Sequence, residues 1–251
     1  MTPLDAVAIF VAGIGAGGIN AVVGSGSLIT FPTLVALGIP PVIATVSNNI
    51  GLVPGSLTGV LGYRAELKGQ RARLIRLGIA SVLGSSMGGV LLLFLPAEAF
   101  EMIVPVLVGL ACVLVVLQPK LSKWMNGRRE NPHPHGGPWL WLGVLAAGTY
   151  GGYFAAAQGV LLIGLLGTFL DSDLQRVNAA KNVLTLLVNA TAATLFIMVA
   201  EVDWHAVALI AAGTTIGAFI GARVGRKLPA PVLRAVVVFI GILAIIKLVY
   251  G

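Results

Sequence analysis

Two short stretches of small and polar residues interrupt long apolar segments, and their residue types suit anion binding. The first is Gly24-Ser25-Gly26-Ser27, and the second is Gln158-Gly159. Glycine and serine weaken a helix, so we expect each stretch to break one, and the first to open a short helix over about 28–38. A helix N-terminus offers free N–H groups and a positive dipole end, to which hydroxyls and amides add donors. The alternative is close helix packing by small residues.

Two asparagines, Asn48 and Asn182, lie early in the apolar segments that follow these stretches. A buried asparagine in lipid needs partners, so each lines a site or bonds a neighbouring helix. Around Asn182, polar side chains recur at intervals of four, three and four residues, which places them on one helix face. These side chains are Asn178, Asn182, Thr185 and Asn189.

Lys181 is the one cation next to this polar face. A lysine at such a position either enters the cavity or extends towards the cytoplasmic lipid headgroups, and its position favours the headgroups. Both alternatives stay open in the sequence. The predicted substrate-binding residues are therefore Gly24, Ser25, Gly26, Ser27, Asn48, Gln158, Gly159, Lys181, Asn182 and Thr185.

Signs of catalysis are weak. No histidine lies well inside an apolar segment, so a nucleophile, a base and an orienting acid are not expected to meet there. Neither a phosphate-binding loop for ATP nor a dinucleotide fingerprint occurs. His133 and His135, in a segment rich in proline and glycine, are a weak metal signal, and the single Cys112 excludes a cysteine metal cluster. The sequence predicts no enzyme activity, no cofactor and no metal site.

The composition indicates that lipid surrounds most of the chain. Of 251 residues, 57% are hydrophobic and 10% are charged, and the mean hydropathy is +0.98. The net charge is +7, and the basic residues that produce it flank the apolar segments. This distribution indicates contact with membrane lipid and not with nucleic acid. The segments are unbroken in their apolar character, unlike the alternating strands of a barrel, so we expect an all-α polytopic membrane protein. They span 4–37, 42–62, 74–95, 99–117, 139–170, 179–200, 204–222 and 231–250.

The two halves of the chain resemble each other. A shift of 134 residues aligns Gly24 with Gln158 and Asn48 with Asn182. We therefore expect a first repeat over 1–117, a cytoplasmic linker over 118–138 and a second repeat over 139–251. Each repeat would contain a broken-helix hairpin and three spanning helices, which gives eight to ten membrane helices in total.

Charge predicts that the second repeat is inverted relative to the first. If each broken segment turns back, every Lys and Arg except Lys247 falls on one side of the membrane, opposite Asp5, Glu98, Glu101, Glu201 and Asp203. Basic residues that flank spans accumulate in the cytoplasm, so both termini would lie outside. Inverted repeats with broken helices are the architecture of many secondary transporters, which bind substrate near the midplane.

The motifs resemble the TauE/SafE sulfite exporter family over nearly the whole chain. The resemblance is carried by the run from Gly17 to Leu34, by Ala44-Thr45-Val46-Ser47-Asn48-Asn49, by Gly62-Tyr63-Arg64, by Val202-Asp203-Trp204 and by the segment from Gly217 to Arg223. It implies a permease of the cytoplasmic membrane that moves sulfite, sulfonates or related organosulfur anions. One departure is the second break, where Gln158-Gly159-Val160 replaces the usual glycine triplet.

Residues and resemblance together predict a small anionic substrate. A negative cell interior favours outward movement of an anion by roughly 2.3 kcal/mol per charge per 100 mV, so we expect export by alternating access. An anion channel with the same site, and a membrane scaffold that buries its small-residue faces against another subunit, are the alternatives. A homo-oligomer is compatible with the sequence.

Overall fold

The structure is a computed structural model that describes residues 1–126, 136–170 and 173–224, with five single residues between 235 and 246. Within those ranges it contains helices and no β-strand. The helices are α1 (Pro3–Val22), α2 (Ser27–Ala36), α3 (Pro41–Gly62), a 3-10 helix (Arg64–Leu67), α4 (Arg71–Phe94), α5 (Ala97–Asn126), α6 (Gly137–Tyr153), α7 (Gln158–Phe169), α8 (Leu174–Val199) and α9 (Trp204–Val224).

Half of these helices have the length and composition of membrane spans. Five in the described ranges can cross a bilayer by these criteria, namely α1, α4, α5, α8 and α9. Helix α3 is of similar length, with 22 residues. The expected all-α polytopic membrane protein is therefore confirmed.

The first predicted break is confirmed. Helix α1 begins with a capping box between Thr2 and Asp5, and Pro3 takes the first helical position, where its missing N–H costs nothing. It ends before Gly24, whose φ of +86° turns the chain out of the helix. Helix α2 then runs over Ser27–Ala36, close to the expected 28–38.

The second break exists, but its predicted position was wrong. Helix α6 ends at Tyr153 and α7 begins at Gln158, so the break covers 154–157 and the predicted pair Gln158-Gly159 forms the start of α7. The chain turns through Ala155 and Ala157, with φ of +63° and +56°. Residues with a Cβ seldom adopt this conformation, so an alanine run gives no signal of a turn.

Equivalent helices of the two halves make equivalent contacts. Helix α1 packs along α9, and α6 packs along α4; likewise α3 packs against α9 and α8 against α4. Glycines allow the close approach: an added Cβ at Gly17 would overlap the carbonyl oxygen of Thr214, and one at Gly88 would overlap that of Thr149. This reciprocal pattern is the one expected of two similar halves, and the repeat itself stays a prediction.

Helices α3 and α8 run antiparallel. Near the start of α3, the Ser47 hydroxyl accepts a hydrogen bond of 3.0 Å from the backbone N–H of Asp203, which follows the end of α8. Beyond the end of α3, Tyr63 shares a hydrophobic cluster with Ala179, near the start of α8. These contacts support the predicted inversion of the two repeats, which itself stays a prediction.

Some predicted features lie outside the described residues. Among them are His133, His135, Lys247 and most of the last apolar segment, of which Ala235, Val238, Phe239, Ile242 and Ile246 are described and helical. Helix α5 continues to Asn126, into the stretch predicted as a linker. The repeat boundaries at 117 and 139 remain predictions.

Candidate functional site

The two broken helices meet at their glycines. The backbone N–H of Gly159 donates a hydrogen bond of 3.0 Å to the carbonyl oxygen of Gly24. A Cβ added to either glycine would overlap the Cα of the other, so neither position has room for a side chain. The start of α7 is thereby hydrogen-bonded to the turn that separates α1 from α2. This contact brings the two predicted stretches, Gly24-Ser25-Gly26-Ser27 and Gln158-Gly159, together.

The end of α1 is capped by side chains from α8. Lys181 Nζ donates to the carbonyl oxygen of Asn20 at 2.7 Å. Asn178 and Asn182 donate through their Nδ2 atoms to the carbonyl oxygen of Ala21, at 3.0 Å and 3.3 Å. The last carbonyls of a helix have no partner within it, and its C-terminus carries partial negative charge, so a lysine and two amides stabilise this end.

The expectation that Lys181 extends to the headgroups was wrong. Its side chain is 0% exposed, and its Cδ lies near the position that a Cβ on Gly24 would take. The Lys181 ammonium reaches the carbonyl oxygens at the end of α1. Its hydrogen bonds to them replace those that it would make with water at the membrane surface. Its hydrogen-bond acceptors among the described residues are backbone carbonyl oxygens and not carboxylates.

Asn48 connects the short helix α2 to α3. Its Oδ1 accepts a hydrogen bond from the Thr30 hydroxyl, whereas its Nδ2 is buried without a partner in the described residues. Both hypotheses for Asn48 therefore receive support, since one half of the amide joins two helices and the other half is available to a ligand.

Several other predicted residues bury polar atoms that lack a partner within the described ranges. The Gln158 side chain is fully buried beside Gly151. Leaving a buried donor or acceptor unpaired costs about 1–3 kcal/mol, so such atoms point to water or a ligand. The unpartnered atoms at predicted positions are Ser25 Oγ, Asn48 Nδ2, Gln158 Nε2, Gln158 Oε1 and Thr185 Oγ1.

Two helix N-termini add backbone donors here. Neither α2, preceded by Gly26, nor α7, preceded by Ala157, has a side-chain cap, and both first residues, Ser27 and Gln158, are buried. Their dipoles place partial positive charge beside the contact between the two glycines. Chemically, the arrangement can bind a small anion, because it combines N–H, hydroxyl, amide and ammonium donors.

Sequence reasoning missed Asn49, which is 0% exposed and has no partner in the described residues for either Oδ1 or Nδ2. It stands next to Asn48, and a second asparagine in an apolar helix is itself a signal, because lipid offers it no partner. Thr30 and Asn20, which bond Asn48 and Lys181, were also missed. Neither could be identified from its type or spacing.

Two cavities in the described region lie away from this central cluster. One, of about 560 Å³, lies at the end of the bundle that contains Met1, Asp5, Glu201 and Asp203. The other, of about 630 Å³, is an apolar groove between α4 and α8. Neither is lined by a predicted substrate-binding residue. No three His, Cys, Asp or Glu side chains in the described part of the chain are placed to hold a metal ion.

Apolar membrane helices around a buried polar centre, with two helices interrupted there, define a multi-pass membrane protein of the transporter type. The family model described as sulfite exporter TauE/SafE matches residues 9–248. The chain therefore belongs to the TauE/SafE family and is a membrane transporter.

Relatives of similar length carry transporter names. The chain is 27% identical to the probable membrane transporter protein YfcA of Escherichia coli K12, over 100% of this chain and 91% of that protein. It is 26% identical to a probable membrane transporter protein of Haemophilus influenzae, over 98% and 96%. A probable membrane transporter protein, ORF9, of a Sinorhizobium species is 24% identical, over 96% and 90%. No solved structure matches the chain.

Proposed function

We propose that this transporter moves a small sulfur-containing anion, such as sulfite, thiosulfate or an organosulfonate, across the cytoplasmic membrane. The observation that carries the proposal is the burial of Lys181 with carbonyl oxygens, and not carboxylates, as its described acceptors. A cation buried in lipid is costly, and a bound anion would supply the missing negative charge.

The binding site in this proposal surrounds the contact between the two breaks. Gly24 and Gly159 let the two breaks pack backbone to backbone, and Gly26 lets the start of α2 pack against the Ala16 carbonyl oxygen, so that both uncapped helix starts lie next to the anion. Sulfur oxyanions present several acceptor oxygens, which match clustered donors. The remaining donors are Ser25, Ser27, Asn48, Gln158, Lys181, Asn182 and Thr185.

Outward transport is the direction that charge favours. Exposed basic residues, among them Arg64, Lys68 and Arg71, lie at one end of the bundle, and Asp5 and Glu201 lie at the other. With the basic end in the cytoplasm, the N-terminus lies outside, and export of an anion runs down the membrane potential. The predicted inverted repeat would place the C-terminus outside too.

Alternating access fits a site that is buried from both sides. Ser25 and Gln158 are 1% exposed and Lys181 is 0% exposed, so a bound anion needs a rearrangement to enter and another to leave. A channel would keep both mouths open together. Saturable flux with counterflow would exclude that alternative.

Purified protein in liposomes tests the proposal. We expect uptake of sulfite, thiosulfate or sulfoacetate, but not of a carboxylate control, with taurine as a zwitterionic comparison. Asn48→Ala and Asn182→Ala should abolish most of the flux while the protein still folds. Thr58→Val and Thr194→Val are matched controls on the same helices, because those hydroxyls bond their own helix.

Two results would contradict the proposal. If no sulfur anion moves or raises the melting temperature, the substrate class is wrong. If flux is normal in both asparagine variants, the central site is wrong, and a scaffold role becomes the better interpretation should no solute move at all.

A further inference from the structure

Polar side chains line the interface between α3 and α8 beyond the central site. Asn189 Nδ2 on α8 donates a hydrogen bond of 3.2 Å to the Ser56 hydroxyl on α3. Asn49 precedes Ser56 by seven residues, which is close to two helical turns, so both lie on the side of α3 that faces α8. Thr185 precedes Asn189 by four residues and shares its face of α8. We call Asn49, Ser56, Thr185 and Asn189 the α3–α8 seam.

Two of the four seam residues have polar side-chain atoms without a hydrogen-bond partner in the described residues. Both polar atoms of Asn49 and the Thr185 hydroxyl are unpartnered within the described residues, and both side chains are more than nine-tenths buried. Unpaired polar groups in the interior of a membrane protein cost folding free energy. These groups therefore indicate that a ligand or water binds to them in another conformation of the transporter.

Together with Asn178 and Asn182, the seam forms a polar row that is long enough to cross most of the membrane. Because α3 and α8 run antiparallel, Asn178 to Asn189 on one helix is continued by Ser56 to Asn49 on the other. At 1.5 Å per residue this polar row is about 27 Å long, against roughly 30 Å for the hydrocarbon core. One end is the capped terminus of α1, and the other approaches Ser47, which bonds Asp203 at the edge of the acidic cavity.

Glycines pack three other helix interfaces closely, and a buried hydrogen bond joins a fourth. Glycines bring backbones into contact between α1 and α9, as at Gly17, and between α4 and α6, as at Gly88. Helix α3 is joined to α9 through Gly55, which has no room for a Cβ beside Thr214. The Ser85 hydroxyl of α4 donates to the Val188 carbonyl of α8 at 2.7 Å.

These contacts divide the bundle into two units that mix the sequence repeats. One unit contains α1, α3 and α9, and the other contains α4, α6 and α8. The α3–α8 seam and the contact of Gly24 with Gly159 lie between the two units. A rearrangement that keeps the glycine contacts within each unit intact therefore separates the units along the seam. It must also break or shift the contact of Gly24 with Gly159 and the hydrogen bonds from α8 to the end of α1.

We propose that the α3–α8 seam is the route by which the anion travels between the central site and the end of the bundle that carries Asp203. Asn49 binds the anion on this route, and Thr185 links the route to the central site. The proposal rests on the proposed function, and it adds the path and a substrate-contacting residue that the central site does not contain.

Cysteine accessibility tests the route in the full-length protein. With Cys112→Ala as background, single variants Asn49→Cys and Ser56→Cys are treated in liposomes with a negatively charged methanethiosulfonate. Leu57→Cys is the matched control, since Leu57 follows Ser56 but is 48% exposed on the outer surface of the bundle. There it faces lipid, where the reactive thiolate does not form. Sulfoacetate serves as the protecting anion, because sulfite itself attacks disulfides.

We expect both seam cysteines to react at least about tenfold faster than the control, and sulfoacetate to slow them. Equal rates at the seam and control positions, or no protection by a transported anion, would overturn the route. Asn49→Leu should reduce sulfoacetate flux about tenfold, the equivalent of one lost hydrogen bond, with Leu57→Ala unchanged. Labelling decides the question even if Asn49→Leu fails to fold.

The results separate this inference from the proposed function. If sulfur anions move but the seam cysteines are inert, the route is wrong and the substrate class stands. If the seam cysteines react but no sulfur anion moves or protects, the substrate class is wrong, and protection by a different transported solute then decides the route.

Discussion

Gly24 and Gly159 touch backbone to backbone, where the N–H of Gly159 donates to the carbonyl oxygen of Gly24 at 3.0 Å. This contact joins the two interrupted helices, one from each half of the chain. It brings the uncapped starts of α2 and α7 beside the Lys181 side chain. The polar centre of the transporter therefore depends on two residues that have no side chains.

A methyl group at either glycine should destabilise the protein. Gly159→Ala forces its Cβ against the Gly24 backbone, and such overpacking costs about 1–3 kcal/mol. Gly24→Ala adds the cost of a positive φ, about 1–2 kcal/mol. The measurement is the unfolding midpoint in detergent, together with anion flux in liposomes.

Gly38→Ala is the control for backbone strain. Gly38 has the same φ of +86°, but an added Cβ would meet nothing within 4 Å. We expect Gly38→Ala to lose only the stability that a positive φ costs an alanine, and to retain anion flux. Equal losses in Gly24→Ala and Gly38→Ala would show that the contact between the breaks contributes nothing.

The interface between α1 and α9 should be equally intolerant of side chains. Gly17→Ala places a Cβ against the Thr214 carbonyl oxygen, whereas Gly15→Ala meets only the Ile29 Cδ1 at 3.6 Å. We expect Gly17→Ala to lower the unfolding midpoint, and Gly15→Ala to hold or raise it, because alanine is better than glycine in a helix by about 0.5–1 kcal/mol. A stable Gly17→Ala protein would mean that this interface is not close-packed.

The sequence predicted the helical segments and the first break because both follow from local chemistry. Long apolar runs must be helices in lipid, and Gly24-Ser25-Gly26-Ser27 combines the residues that most weaken one. The second break lies a few residues earlier than predicted, since its turn uses Ala155 and Ala157. No local rule selects those alanines over their neighbours; tertiary packing imposes the conformation.

The direction of a side chain is harder to predict than its position on a helix. Lys181 could be assigned to the correct stretch, but only the assembled bundle places the end of α1 within its reach. Asn49 was missed because helical phase separates it from Asn48 by about 100°. Its role becomes apparent only when Ser56, on the same face of α3, is seen to contact α8.

Topology can be tested at the two charged ends. In a Cys112→Ala background, Glu201→Cys should react with an impermeant maleimide on intact cells, and Lys68→Cys only after permeabilisation, because basic flanks stay in the cytoplasm. Both residues are exposed, and Glu201 lines the same cavity as Met1, so it also reports on the N-terminus. The opposite labelling pattern would refute the orientation and the direction argument.

The bond between Thr30 and Asn48 separates packing from ligand binding. Asn48→Asp keeps the acceptor for the Thr30 hydroxyl, but replaces the free Nδ2 by a negatively charged group. We expect it to fold and to lose anion flux, whereas Thr30→Val should lower stability by about 1 kcal/mol, a typical net value for one hydrogen bond, with smaller effects on flux. Normal flux in Asn48→Asp would exclude Asn48 from the site.

Lys181 provides the sharpest electrostatic prediction. Lys181→Met should reduce anion flux by at least about tenfold at any ionic strength, because salt screens buried charges weakly. Arg71→Gln changes an exposed charge at the basic end, so its smaller effect should fade between 0.05 and 0.5 M salt as the screening length shortens. Liposome flux at both concentrations measures the difference.

The Lys181→Met protein should still fold, because Asn178 and Asn182 continue to donate to the Ala21 carbonyl. The loss of the bond to Asn20 leaves one carbonyl unpaired, at a cost of about 1–3 kcal/mol, which the unfolding midpoint will register. A variant that is destabilised but transports normally would restrict Lys181 to capping α1. A variant that folds and loses flux, while Lys181→Arg retains part of it, would identify the buried charge as the group that selects an anion.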